Sequence, residues 1–431
     1  MLLRSRLSNN FLGQVQGAQA CAAAMPPSSR AWDRRNIGSP RLQLPRSMCM
    51  PRNSTQAHRL AVARPNIFMM KLHSFGSLLF LLWPLVVCAQ LHVETLQSPD
   101  AAIDTKTFKV PKVVGTPIEV ADRLNLWLQY TQLEVIAGHY KKSPFDNVGQ
   151  EDSGTTSLDY EVITQMPNLL SFNLSGEYMG AYPSTSRSTV NFDLASGRPI
   201  LVEDLFTPLG FSRFSKRAIV ARLKAIDDFV TALGRSGGSD GGLDADEKES
   251  QRREYQGCRA GYIASGPRHD ALVLAQDHLT VSSDCGFPHV IQALDDLGSI
   301  EHSETYVTMD QDLNPYGHCL LVERRTDCKI PLQKLHVGVY RGSIAARYPI
   351  TLLVTDSGDS LQSLYFYDRV GTPMSLTTTT PSQNHVRMEL PAPGSQNSAA
   401  AEVFELVIQD DGSLQGTWAQ SGKSPLSVTL R

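Results

Sequence analysis

The eleven histidines and 43 carboxylates of this chain could support acid–base or metal chemistry only where spacing brings them together. A hydrolase needs a nucleophile and a base that can be placed side by side. The chain holds no Ser-x-x-Lys, no His-Glu-x-x-His and no Walker loop. His139, His269 and His289 each stand without a partner at any spacing that would supply one, so they read as surface or packed histidines. The carboxylates of Gly234 to Glu249 (GRSGGSDGGLDADEKE) lack the Asp-x-Asp-x-Asp-Gly order that calcium loops use. Asp310-Gln311-Asp312-Leu313-Asn314 comes closer to that order. Pro315 stands where the glycine is needed and Leu321 where the bidentate glutamate should be, so the segment reads as a turn. No cofactor and no metal is expected, and no catalytic residue is nominated.

Cysteine chemistry is more informative. Of the seven cysteines, Cys258, Cys285, Cys319 and Cys328 lie in the body of the chain. An even number in an exported chain reads as two disulfides. Three connectivities are open, and Cys258 with Cys285 and Cys319 with Cys328 is favoured because those pairs are sequential and close small loops. Zinc is the rival, but there is no Cys-x-x-Cys pair and only His318 is adjacent.

The elements that must carry these residues centre on Leu158 to Phe206. Tyr160, Val162 and Met166, then Leu170, Phe172 and Leu174, then Val190, Phe192 and Leu194 give three strand-like runs, in which apolar residues alternate with polar ones. Pro167-Asn168, the Gly180 to Ser188 loop and Ala195-Ser196-Gly197-Arg198 separate them as turns. A helical region is expected to begin near Asp204-Leu205-Phe206.

The strand ending Leu169 to Phe172, the Tyr178-Met179-Gly180-Ala181-Tyr182-Pro183 loop, Asn191-Phe192-Asp193-Leu194 with Gly197, and Glu203-Asp204-Leu205-Phe206 follow a recognisable order. This order resembles the PdaC/RsiV-like extracytoplasmic domain family, over about Lys106 to Leu332. The resemblance implies an α+β fold outside the cytoplasm and brings no chemistry with it. Tyr182 replaces the histidine that the family's loop commonly carries, so no role tied to an imidazole transfers. The acid pair and histidine ladder of a polysaccharide deacetylase are absent as well.

Residues 1 to 69 hold ten arginines, no lysine and one acidic residue, Asp33. That composition resembles an organellar transit peptide, but the simpler reading is a non-native or disordered extension, with translation starting at Met69 or Met70. From Met70, Lys71 and the apolar run Leu78 to Val87 form a signal peptide too short to span a bilayer. Cleavage after Val87-Cys88-Ala89 leaves Gln90 first, and a lipid-anchored Cys88 is the competing idea. Past residue 89 there remain 29 basic and 42 acidic side chains, a net charge of −13. This balance disfavours nucleic acid and suits a cationic protein partner, although it also serves solubility alone.

Within residues 90–332 the expected fold is α+β: a mixed unit of antiparallel strands with two main helices, in halves of about 106–200 and 201–332. Val110 to Val114 is a first strand. Thr116-Pro117-Ile118-Glu119 reads as a capping box, opening a helix whose apolar stripe runs from Ile118 to Thr131. Trp127 on that stripe reads as a core anchor. A second helix is expected from about Phe211 to Leu233, with Lys216, Arg217, Arg222 and Lys224 as a solvated basic face. The Gly234 to Glu249 insert reads as a disordered loop, and Leu272 to Leu274 with Leu279 to Val281 as a hairpin. Residues 334–431 change pattern to about eight short strands, from Gly338-Val339-Tyr340 to Leu426–Leu430. They indicate a C-terminal antiparallel β-domain, a sandwich or small barrel.

The functional expectation is an exported, periplasmic or secreted, non-catalytic envelope protein that binds or senses a cationic protein or peptidoglycan. Tyr178, Tyr182 and Trp418 are the candidate binding residues. The alternatives are a cryptic cell-wall hydrolase assembled only by folding and a structural envelope protein with no dedicated ligand.

Overall fold

A computed structural model describes residues 91–98, 104, 106–148, 154–180, 183–235, 243–331, 334–356, 361–382, 384–391 and 401–431. Residues 1–90, which include the expected signal peptide and Cys88, lie outside these, as do Tyr182 and Gly237, Gly238, Gly241 and Gly242 of the insert.

Strands β1 (His92–Thr95) and β2 (Pro111–Val114) pair antiparallel. Helix α1 (Ile118–Leu133) follows. It begins one residue later than the capping-box reading: Pro117 takes the N-cap position, and its own side chain makes no cap hydrogen bond. Strands β3 (Thr155–Gln165), β4 (Leu169–Met179), β5 (Pro183–Asp193) and the short β6 (Arg198–Pro199) form an antiparallel meander. Its inner face meets one side of α1, where Leu124 and Leu128 pack with Leu170, Phe172 and Phe192. Trp127 joins that core edge-on to Phe192, at 5.5 Å between ring centroids.

Helix α2 (Pro208–Arg235) leads to α3 (Ala245–Ser265), and then β7 (Ala271–Leu274), β8 (His278–Ser283) and β9 (Ile300–Thr305) make a second antiparallel sheet. Helix α3 corrects the expectation of two main helices. Its start lies inside the polar insert, where Asp244 accepts from the Glu247 amide while Glu247 accepts from the Asp244 amide. That reciprocal cap nucleates a helix whose largely polar sequence shows no apolar stripe to announce it.

The basic face expected on α2 is corrected as well. Phe214, Ala218, Arg222 and Ile226 fall at i, i+4 spacing, so Arg222 belongs to the inward stripe and is 2 % exposed. Its guanidinium lies 3.7 Å from the Tyr262 ring centroid, donates to the Ile300 carbonyl at 2.9 Å and pairs with Asp270 at 3.2 Å. These partners meet the desolvation cost of a buried charge.

The two sheets meet through polar side chains that complete an edge. Asn191 on β5 donates to the Leu272 carbonyl at 2.7 Å and accepts from the Leu274 amide at 3.1 Å, while Thr164 donates to the Leu274 carbonyl at 2.7 Å. Backbone groups of β7 that would otherwise be buried without partners are thereby satisfied.

The C-terminal strands are β10 (Gly338–Ile344), β11 (Tyr348–Asp356), β12 (Leu361–Tyr367), β13 (Met374–Ser382), β14 (His385–Leu390), β15 (Glu402–Ile408), β16 (Leu414–Gln420) and β17 (Leu426–Leu430). Each pairs antiparallel with the next, and β10 closes on β17, giving an eight-stranded barrel rather than a sandwich. Alternate residues fill the lumen, among them Tyr340, Ile350, Leu352, Tyr365, Met388, Phe404 and Leu406. The outward residues Val339, Leu353, Leu364 and Phe366 pack against Leu126, Trp127, Tyr130 and Ile136, so α1 is buried on two sides.

Candidate functional site

A hollow of about 550 Å³ opens over the segment Leu313 to Lys329. Asn314 shapes it: its side chain accepts from the Gly317 amide at 2.8 Å and donates to the Asp204 and Phe206 carbonyls at 2.7 and 3.1 Å. Pro315 then starts a single helical turn in the position where its missing amide costs nothing. Cys319 and Cys328 are bonded, with an S–S distance of 2.16 Å, and pin the far side.

The floor is apolar, with Leu313, Pro315, Tyr316 and the disulfide, and the rim is charged. On that rim Arg325 holds Asp327 at 2.8 Å and Glu323 at 3.3 Å, and His318 sits between Asp310 at 3.2 Å and Glu323 at 3.3 Å. The hydrogen bond from Arg325 keeps the Asp327 carboxyl below its ordinary range. A rim of this kind can exchange its internal ion pairs for those of an arriving ligand, over a floor that buries apolar surface.

Behind the floor lies a buried polar group. Tyr316 is 3 % exposed and its hydroxyl has no hydrogen-bond partner. Burial, with Asp193 and Asp204 nearby, pushes that hydroxyl well above its usual range. Burial also raises the Asp193 carboxyl, against hydrogen bonds from the Ala195 amide at 2.9 Å and the Ser196 hydroxyl at 2.8 Å. Asp204 Oδ2 is 2.8 Å from His336 Nε2, and His336 Nδ1 is 2.9 Å from the Val337 carbonyl oxygen. A carbonyl only accepts, so Nδ1 carries hydrogen, and a second hydrogen bond runs between Nε2 and Oδ2. Asp204 and His336 are an acid–base pair at hydrogen-bond distance, but they are 4 % and 0 % exposed. Arg198 completes the group, with its guanidinium 4.3 Å from the Tyr340 ring centroid. These residues join the meander to the first barrel strand.

A smaller hollow of about 220 Å³ lies beside the Cys258–Cys285 bond, whose S–S distance is 2.06 Å. His269, Asp270 and Asp284 line it. Two Gly-x-Ser-x-Gly spacings, at residues 234–238 and 237–241, run from the last residues of α2 into residues 236–242, which lie outside the described residues. A nucleophile elbow needs a strand before it and a helix after it, whereas this stretch follows a helix.

Of the candidate binding residues, Tyr182 lies outside the described residues, and Tyr178 and Trp418 fall on different sheets. Tyr178, half-buried at the end of β4, lies over Gly176, with its hydroxyl 3.5 Å from the Ser186 hydroxyl. Trp418 is 9 % exposed and faces the barrel lumen, where its indole N–H donates to Glu402 Oε2 at 3.1 Å. His139 packs on the barrel turn at Gly371 and against Phe366, and His269 is exposed. The hollow at Leu313 to Lys329 was missed in the sequence. Its one signal there was the Cys319–Cys328 spacing, which closes a short charged loop. Among the described residues no group of three or more His, Cys, Asp or Glu side chains could hold a metal ion, and no helix is long and apolar enough to cross a membrane.

No family model and no curated protein matches this chain. Two solved structures are similar to part of it. One is a member of the DUF3298 family from Bacteroides fragilis, with 13% identity over 55% of this chain and 99% of that chain and a TM-score of 0.32. The other is a DUF3298 family protein from Pseudomonas aeruginosa, with 15% identity over 53% of this chain and 95% of that chain and a TM-score of 0.31.

Proposed function

We propose that this is an exported envelope protein of the PdaC/RsiV-like kind, which binds or senses a cationic protein or a cell-wall glycan without making or breaking bonds. The observation that carries the reading is the open hollow of about 550 Å³, with its apolar floor and ion-paired rim. Its walls are held by a disulfide and by Asn314, which leaves the surface pre-formed for a ligand. The two disulfides fit an oxidising compartment. The net charge of −13 past residue 89 favours encounter with a basic partner. The experiment is retention of the chain by two baits, purified peptidoglycan with and without Arg325→Ala, and a cationic muramidase with and without the charge-removing pair Glu323→Gln/Asp327→Asn. Retention by one bait, weakened by the substitution, is expected. Retention by neither removes the reading, and release of soluble glycan fragments from the peptidoglycan would replace it with a hydrolase.

A further inference from the structure

We infer that one mouth of the barrel is a second ligand site, built for a methylated ammonium group. The alternation that fills the lumen ends at this mouth in a layer containing Tyr348, Tyr367, Met374, Leu390, Glu402 and Leu426. Each lies two residues beyond an inward side chain of the layer below, namely Ile350, Tyr365, Leu376, Met388, Phe404 and Val428. Five of the six are apolar or aromatic and are left part-exposed or exposed, Tyr348 by 43 %. The sixth is a carboxylate at an inward position, where a barrel of this size is ordinarily packed with apolar side chains.

Glu402 is held rather than free to swing. The Tyr365 hydroxyl and the Trp418 indole N–H both donate to its Oε2. Neither donor carries charge, and no described residue forms an ion pair with Glu402. Of the cations in the turns at this mouth, the Arg347 guanidinium lies 5.4 Å from the Tyr348 ring centroid, Lys423 Nζ donates to Gln420 at 2.5 Å, and Arg369 is exposed to solvent. The carboxylate is therefore partly exposed and meets no cationic partner among the described residues, beside the half-buried ring of Tyr367 and above the buried Tyr365 and Trp418. Rings and one carboxylate attract a large, weakly hydrated cation, and the apolar rim suits its methyl groups better than a strongly hydrated ion.

The test titrates the full chain with choline and with its uncharged carbon isostere, 3,3-dimethylbutan-1-ol, while following the Trp418 indole N–H resonance. Choline is expected to move that resonance saturably and to bind about tenfold or more tighter than the isostere, the scale of a partly desolvated cation–π contact. Glu402→Gln keeps an acceptor for Tyr365 and Trp418 while removing the charge, so it should erase the preference for choline. Tyr348→Ala, an exposed change, should weaken choline severalfold with the fold intact. The inference is overturned if choline leaves Trp418 unmoved, if the isostere binds as well, or if both variants bind choline as the parent does.

Discussion

His336 Nε2 and Asp204 Oδ2 lie 2.8 Å apart in full burial, and each belongs to a different part of the fold. Asp204 sits just after the meander and His336 leads into the first barrel strand, so one buried hydrogen bond links the α+β region to the barrel. Among the described residues, removing His336 leaves the buried Asp204 Oδ2 with only the Leu201 amide at 2.8 Å, and removing Asp204 leaves the His336 ring with only the Val337 carbonyl at 2.9 Å. His336→Ala should lower stability by about 3–5 kcal/mol. Denaturant titration of the variant checks this, and a loss under about 1 kcal/mol would mean that the pair contributes no more than a surface contact.

Glu304 predicts a pH response. Burial pushes its carboxyl up, but hydrogen bonds from His302 at 2.6 Å and from Arg217 at 2.8 Å outweigh burial and hold it at about 2. A folded-state value below the ordinary 4.5 stabilises the fold above that pH, and the contribution is lost as pH falls toward 2. Arg217 is 40 % exposed, so water screens the pair and the contribution is about 1–2 kcal/mol. The stability difference between the parent and Glu304→Gln should be constant from neutral pH to about 4.5 and vanish near 2. A difference that grows on acidification would contradict the assignment.

The two disulfides should contribute unequally. Cys258 and Cys285 are 27 residues apart and Cys319 and Cys328 nine, so replacing the pairs by serine should cost about 3.5 and about 2.5 kcal/mol respectively on loop closure. The second double variant should also lose ligand retention at the hollow, which the first should keep. Denaturation midpoints and bait retention, measured side by side, separate the two effects.

Gly342 and Gly416 let barrel strands approach closely. A Cβ added at Gly342 would stand 1.8 Å from the Thr429 carbonyl oxygen, and one added at Gly416 would stand 1.9 Å from that of Glu405. Backbone cannot step aside as a side chain can, so Gly416→Ala should cost about 1–3 kcal/mol or more. Thermal unfolding unchanged by that substitution would mean that the strands have room to part.

Much of this architecture was legible because strands announce themselves by a period of two. The alternation around Leu170, Phe172 and Leu174 marked β4, and the eight short C-terminal runs each match a barrel strand. Closure was not legible, since the pairing of Ile344 with Val428 lies between chain-distant strands that look like any edge. Helix α3 escaped because its stabilising features are the Asp244–Glu247 cap and buried Tyr255 and Tyr262 on an otherwise polar segment. Arg222 was misread because a charged residue on an amphipathic helix ordinarily faces water, and its partners Asp270 and Ile300 are remote in sequence. The hollow at Leu313 to Lys329 depends on Asn314 reaching back to Asp204 and Phe206, contacts that no local pattern encodes.

The most direct test of the account is equilibrium binding of the chain to peptidoglycan, with Arg325→Ala as the matched control, and to a cationic muramidase, with Glu323→Gln/Asp327→Asn as the matched control. The account predicts saturable binding of one of the two, weakened about tenfold by the substitution, as for loss of a charged rim contact worth about 1–2 kcal/mol. Absence of binding to both, or binding to which the matched substitution makes no difference, would contradict it.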